Sequence, residues 1–315
     1  MAHIVYQNEA VVEETDLTLS LLDVSHKNGI PHMNACGGHA RCSTCRVLVL
    51  EHLDNVCPRN EAERQLAERR GFTDDIRLAC QSRVDGDVII RRLVVDTYDR
   101  DCVNCETPMA VGRESCVAVL FVDIRGFTPF TERTLPYDVV HILNRFFHTV
   151  GDAVLDNGGV IDKYIGDAVM ALFGLNGSDA RTTCLQAIKA ALQMRASLVE
   201  FNSYLGRVFN EQFAIGIGIH FGTAVVGEIG HPASRQVTAI GSTVNVASRI
   251  EAESKNLGTD LLVSEFVLAN VGDCVETGRS CTTTLRGTSG ETRLVEILGL
   301  SGDSAGDGDV SVHAK

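Results

Sequence analysis

Tryptophan is absent, and aromatic residues make up only 5% of the 315 positions. Hydrophobic cores must therefore be assembled from Val, Ile, Leu and Ala, with few of the large ring contacts that usually dominate burial. No apolar run approaches the roughly 20 residues that a membrane-spanning helix needs. The longest, CVAVLFV at 116–122, has the length of a strand. Met1 is followed by mixed polar sequence, without the basic cluster and apolar segment of a secretory leader, which sets the expectation of a soluble, cytoplasmic protein. Basic charge is scarce too: 28 Lys and Arg against 41 Asp and Glu leave −13 at pH 7. That balance argues against nucleic acid as a partner, because phosphate backbones are held by clustered cations. Cysteine runs the other way. Eleven, an odd number, suit a reducing compartment with metal ligation better than a disulfide framework.

The length allows two domains with separate cores. HIVYQNEAVVEET offers two alternating runs around a turn near Gln7–Glu9. LTLSLLDVSHKNG places Leu19, Leu22 and His26 on one helical face and stops at Asn28-Gly29. RVLVLEHL, IRLACQ and DVIIRRLVV read as strands, and NEAERQLAERRG as a short charged helix. Residues 98–112 read as a linker, carrying Cys102 and Cys105. From 113 to 299 the order is strand (116–123), helix (137–157), hairpin (159–173), helix (178–205), hairpin (211–229), strand (236–240), helix (242–256) and closing strands. This βαββαβ order predicts an antiparallel-leaning sheet with helices on one face. Residues 300–315 are small and polar, the composition of a disordered tail.

The most distinctive stretch is CGGHARCSTC, which spaces Cys36, Cys42 and Cys45 as C-x5-C-x2-C, with Cys80 following in LACQ. Four thiolates make one tetrahedral set or one pair for each iron of a two-iron cluster. Gly37 and Gly38 permit positive φ, so the backbone can approach closely and direct N–H groups at sulfur. A structural zinc site is the competing reading, although zinc sites usually use two C-x2-C pairs. With CSTC, PRNEAER and LACQ, residues 1–97 resemble 2Fe-2S ferredoxins of the adrenodoxin-like spacing. The resemblance implies a β-grasp fold with Cys36, Cys42, Cys45 and Cys80 as cluster ligands, and a redox partner for the cluster.

Three later segments carry a second chemistry. FVDIRGFT places Asp123 at the end of an apolar strand, and KYIGDAVMALF places Asp167 at a hairpin tip. If those strands are neighbours, two carboxylates without His or Cys partners suit Mg²⁺ or Mn²⁺. Amides of Ile124 to Thr128 could hold phosphate oxygens. In VTAIGSTVNVASRIE, Asn245 and Arg249 are four apart and share a helix face. Together the three segments resemble the class III nucleotidyl cyclase catalytic domain, over about residues 113–298.

That resemblance implies an α+β, ferredoxin-like catalytic domain working as a homodimer on ATP with two Mg²⁺ or Mn²⁺ ions per active site. Asp123, Asp167 and the Ile124 carbonyl would hold the ions. Asn245 would position the ribose, and Arg249 would meet charge developing on the α-phosphate. Phe127, Thr128 and Arg286 would contact the triphosphate, Arg286 standing where the family usually has lysine. Gly216 stands where some relatives have a phosphate-binding arginine. Lys163 and Thr238 fall on the base-reading positions: lysine can donate to adenine N1, and a threonine hydroxyl can accept from the 6-amino group. Guanylyl cyclases carry glutamate at the position of Lys163. The expected function is thus an adenylyl cyclase with an iron–sulfur domain that regulates it. The alternatives are an electron carrier with a silent cyclase-like dimerising scaffold, and a guanylyl cyclase.

Overall fold

The computed structural model describes residues 1–94, 112–231, 234–286, 288 and 290–302. The expected linker, with Cys102 and Cys105, and the expected tail lie outside the described residues except for Gly112 and residues 300–302. The chain divides into two units, Met1–Arg113 with Gly227–Gln236, and Glu114–Val226 with the chain from Val237 onward. Among the described residues no helix is long and apolar enough to cross a membrane.

In the first unit, β1 (Ala2–Tyr6) and β2 (Ala10–Glu14) form the expected hairpin, in register from Ala2↔Glu14 to Tyr6↔Ala10. Helix α1 (Leu21–Lys27) begins with a capping box between Ser20 and Asp23 and ends at Asn28. Leu19, expected on the helix face, instead precedes the cap and packs on the core from there. Strand β3 (Arg46–Glu51), helix α2 (Glu61–Arg70), β4 (Ile76–Leu78) and β5 (Val88–Arg92) follow. Asn60 caps α2, and Gly71 at φ +65° closes it. The sheet order is β2-β1-β5-β3-β4, with β1 and β5 parallel and the other pairs antiparallel, as in a β-grasp. Glu63 of α2 is buried against β4, where Arg77 donates to it through Nε (3.0 Å) and Nη2 (2.8 Å).

The second unit is built on β6 (Arg113–Ile124), followed by α3 (Phe127–Arg133), α4 (Pro136–Asp156), β7 (Val160–Ile165), β8 (Ala168–Phe173) and α5 (Ala180–Phe209). Then come β9 (Ile215–His231), β10 (Ser234–Ile240), α6 (Ser242–Leu257), β11 (Leu261–Ser264), α7 (Glu265–Val271), β12 (Val275–Thr284) and β13 (Glu291–Leu300). The eight-stranded sheet runs β12-β13-β11-β9-β6-β8-β7, with β10 paired to β9.

The fold departs from the sequence expectation at two points. The stretch 211–229 is not a hairpin: β9 is one long strand that does not fold back on itself, and besides β11 and β6 it pairs with β10. Its glycines at 216, 218 and 222 do not turn the chain; none of them has positive φ. They make room for neighbours instead: a Cβ on Gly218 would lie 2.2 Å from the Glu251 backbone N. Nor do the helices share one face. Ala118, Leu120, Val122 and Ile124 of β6 pack with α4 and α5, whereas Val117, Val119 and Phe121 pack with Ala224, Ala239 and Ala247. Helix α6, which carries Ala247, therefore lies on the face opposite α4 and α5. The unbroken apolar run at 116–122 is the sequence trace of this two-sided burial.

Candidate functional site

The four predicted thiols converge as two pairs. Cys45 donates to Cys80 with the sulfurs 3.5 Å apart, and Cys36 hydrogen-bonds with Cys42. Gly37 (φ +67°), Gly38 (φ +88°) and Ala40 (φ +52°) bend the loop so that its amides face sulfur. Backbone N–H groups of Arg41, His39 and Cys42 are directed at Cys36, that of Thr44 at Cys42, and that of Ala40 at Cys80. Gln81 Nε2 adds a donor to Cys80 at 3.4 Å. The hydrogen bond from Cys45 holds Cys80 below the usual thiol range and raises Cys45 well above it. Among the described residues no three His, Cys, Asp or Glu side chains close around a single ion. Two thiol pairs ringed by amide donors fit a two-iron cluster, one pair to each iron. Cys57 stands outside the set, its sulfur accepting from the Arg83 amide at 3.2 Å.

In the second unit, Val122 of β6 faces Val169 of β8, so the next positions bring Asp123 beside the β7–β8 turn. That turn is Gly166-Asp167, which puts Asp167 at the hairpin tip as expected, with Gly166 at φ +64°. Asp123 and Asp167 are hydrogen-bonded to each other. Burial, then the Asp167 hydrogen bond and charge, then the charge of Glu251 push Asp123 up to about 7. Two carboxyls held together until one keeps its proton near neutrality are an oxygen donor set short of positive charge, which a hard divalent ion would supply.

Glu251, on α6, was not anticipated from the sequence. Burial pushes it up to about 7, with Arg125 opposing and Asp167 adding to the rise. Arg125 ties the end of β6 to its surroundings, donating to Ile215 O (3.1 Å), Ser254 Oγ (3.1 Å) and Thr259 O. A Cβ on Gly216 would lie 2.6 Å from Glu251 Oε1 and 2.9 Å from Ser254 Oγ. Position 216 thus faces α6, where an arginine would have no room, and the glycine is a packing residue. The glycines opposite α6 were the one sequence signal for a buried group there.

Lys163 on β7 and Thr238 on β10 are brought together through Asp162. Lys163 Nζ lies 3.3 Å from Asp162 Oδ2, and Thr238 Oγ1 donates to the same oxygen at 2.8 Å. Asn245 and Arg249 lie on α6, with Asn245 exposed and Arg249 half-buried. Val246, Ala247 and Ile250 fill its buried side. Phe127 and Thr128 open α3 after Gly126 at φ +71°, Ile124 ends β6, and Arg286 is exposed just beyond β12. The structure therefore collects Asp123 and Asp167 in one group, and Lys163 and Thr238 around Asp162 in another.

Residues 109–285 match the model of the adenylate and guanylate cyclase catalytic domain, and residues 4–85 match that of the 2Fe-2S iron-sulfur cluster binding domain. An adenylate cyclase of Anabaena cylindrica is 41% identical over 159 residues, 49% of this chain and 30% of that protein. Adenylate cyclase 1 of Rhizobium meliloti (strain 1021) is 35% identical over 184 residues, 58% of this chain and 28% of that protein. The chain thus spans less than a third of either relative. Among solved structures, the guanylyl cyclase Cya2 is 28% identical with a TM-score of 0.58, over 62% of this chain and 97% of that one. The adenylyl cyclase CyaB from P. aeruginosa is 25% identical with a TM-score of 0.56, over 61% and 97%. With the cyclase match covering more than half of its length, the chain belongs to the adenylate and guanylate cyclase catalytic domain family, and it carries a 2Fe-2S iron–sulfur domain at its N-terminal end.

Proposed function

We propose that the chain converts ATP to 3′,5′-cyclic AMP and pyrophosphate at sites shared by two copies of itself, under regulation by the iron–sulfur domain. The carrying observation is the meeting of Asp123 and Asp167, far apart in sequence, at one end of the sheet. With the Ile124 carbonyl they would hold Mg²⁺ or Mn²⁺. The ions would acidify the ribose 3′-hydroxyl and neutralise the departing pyrophosphate. The 3′-oxygen bonds to the α-phosphorus, the bond to pyrophosphate breaks, and the hydroxyl proton is released. Asn245 orients the ribose, and Arg249 offers a fixed guanidinium to the charge that builds on the α-phosphate. Amides at Phe127 and Thr128 and the side chain of Arg286 receive the triphosphate.

Support for the second copy comes from the surface beside the base-reading pair. Tyr164 (49% exposed), Ile165 (52%), Val237 (62%) and Ile240 (52%) leave apolar side chains on the strands that carry Lys163 and Thr238. Covering them with an identical chain would bring the Lys163, Thr238, Asn245 and Arg249 half-set of one copy to the aspartates of the other. Lys163 at the base position favours ATP over GTP, as do the relatives named adenylate cyclase. Because cyclisation moves no electrons, the cluster is not a reactant, and its place is regulatory.

The test is a parallel assay of the purified holoprotein with ATP and with GTP, with Mg²⁺ or Mn²⁺. Cyclic AMP formation that vanishes in Asp123→Ala is expected. Undiminished activity in that variant removes the metal assignment, and a preference for GTP removes the base assignment. Rates compared with the cluster oxidised and dithionite-reduced address regulation; identical rates leave the cluster a structural role.

A further inference from the structure

Asp162 lies under both base-reading residues, and its surroundings are unusual for a structural aspartate. Its side chain is 1% exposed. Oδ2 takes both Lys163 Nζ and Thr238 Oγ1, while Oδ1 is buried with no hydrogen-bond partner among the described residues. A buried oxygen left unpaired is a cost that folding alone gives no reason to keep. The strand is irregular here as well. Ile161 pairs with Ala171 and Lys163 with Met170, so Asp162 is the extra residue of a β-bulge. Bulges re-aim side chains that strict alternation would send to opposite faces. This one lets consecutive residues, Asp162 and Lys163, meet.

A threonine hydroxyl has one proton and two lone pairs, and can donate or accept. An ionised carboxylate only accepts. With Asp162 as its partner, Thr238 must spend its proton inward, and what it offers on its other side is lone pairs. Adenine presents a donating 6-amino group at that position, and guanine an accepting 6-oxo group. We propose that Asp162 sets the choice of purine: it fixes the Thr238 hydroxyl as an acceptor toward the base, and so makes Thr238 complementary to ATP and repulsive to GTP. Asp162 acts as a positioning residue, because its own free oxygen is buried away from any ligand. Lys163 Nζ faces the same Oδ2, but an ammonium donates whatever its partner, so only the polarity of Thr238 depends on Asp162. This inference rests on the ATP-cyclising reading of the site.

The experiment measures kcat/KM for ATP and for GTP in wild type, Asp162→Asn, Thr238→Val and the double variant. An asparagine amide can donate to Thr238 Oγ1 and release the hydroxyl proton toward the base. The ATP-to-GTP ratio is expected to fall about tenfold in Asp162→Asn, the worth of one hydrogen bond reversed. It should fall similarly in Thr238→Val, and the double variant should lose no more than Thr238→Val alone. An unchanged ratio in Asp162→Asn overturns the inference, and so does an equal further fall in the valine background. Should Asp162→Asn not fold, Thr238→Val decides alone: retention of the wild-type ratio refutes a hydroxyl-based choice. Wild type that makes no cyclic AMP from ATP overturns the enzyme reading and this inference together. An active wild type whose Asp162→Asn keeps the ratio overturns the inference only.

Discussion

Metal binding at the carboxyl pair should be steeply pH-dependent below neutrality. Asp123 is pushed up to about 7 by burial and then by Asp167, so near pH 6 roughly nine-tenths of it is protonated and near pH 8 roughly one-tenth. A divalent ion must displace that proton. The apparent dissociation constant should therefore be about tenfold weaker at pH 6 than at pH 8, and should level off above 7. Mn²⁺ titrations of the nucleotide-free protein at pH 6, 7 and 8, by calorimetry or by loss of the free Mn²⁺ resonance, read this directly. Asp123→Asn should bind more weakly throughout and show a shallower pH slope, with Glu251, also pushed up to about 7, leaving some dependence. The same groups fix the sign for stability. Their folded values lie above the ordinary 3.8 and 4.5, so the contribution is full below about pH 4 and is lost as pH rises through about 7. Added Mn²⁺ should then raise the melting temperature more at pH 8 than at pH 6. Equal Mn²⁺ affinity at pH 6 and pH 8 would refute the claim that Asp123 keeps a proton near neutrality.

Other perturbations test the packing and the cluster. Gly218→Ala would drive a Cβ to 2.2 Å from the Glu251 backbone N and 2.8 Å from Ala247 O, neither of which can step aside. A loss of about 3 kcal/mol or more in urea unfolding is expected, and a wild-type midpoint would disprove that packing. Glu63→Gln strands the buried guanidinium of Arg77 and should cost about 3–5 kcal/mol, whereas Glu63→Leu with Arg77→Met should recover most of it. Cys80→Ser should abolish the visible absorption of the cluster, and Cys57→Ser should retain it; bleaching by the second change would overturn the ligand set.

Much of this protein was written locally. The ferredoxin-type loop could be recognised because its chemistry is confined to a few positions: thiols at fixed spacing, and glycines where the backbone must take positive φ. Capped helices such as Leu21–Lys27 and Glu61–Arg70 declare their ends through Ser20, Asn60 and Gly71. The spacing of Asn245 and Arg249 was legible for the same reason, since both lie on one helix, whereas the meeting of Asp123 and Asp167 required β6 and β8 to be neighbours. Other features needed the third dimension. Strand alternation would have sent Asp162 away from Lys163, and only the bulge opposite Ala171 and Met170 joins them beneath Thr238. Glu251 reads as one more charge on a surface helix until Gly216 and Gly218, a strand away, let that helix sink against the sheet. Motif chemistry can be read along the chain because it lies within one element. Which buried groups face one another depends on close packing between elements distant in sequence, and that is settled only when the layers meet.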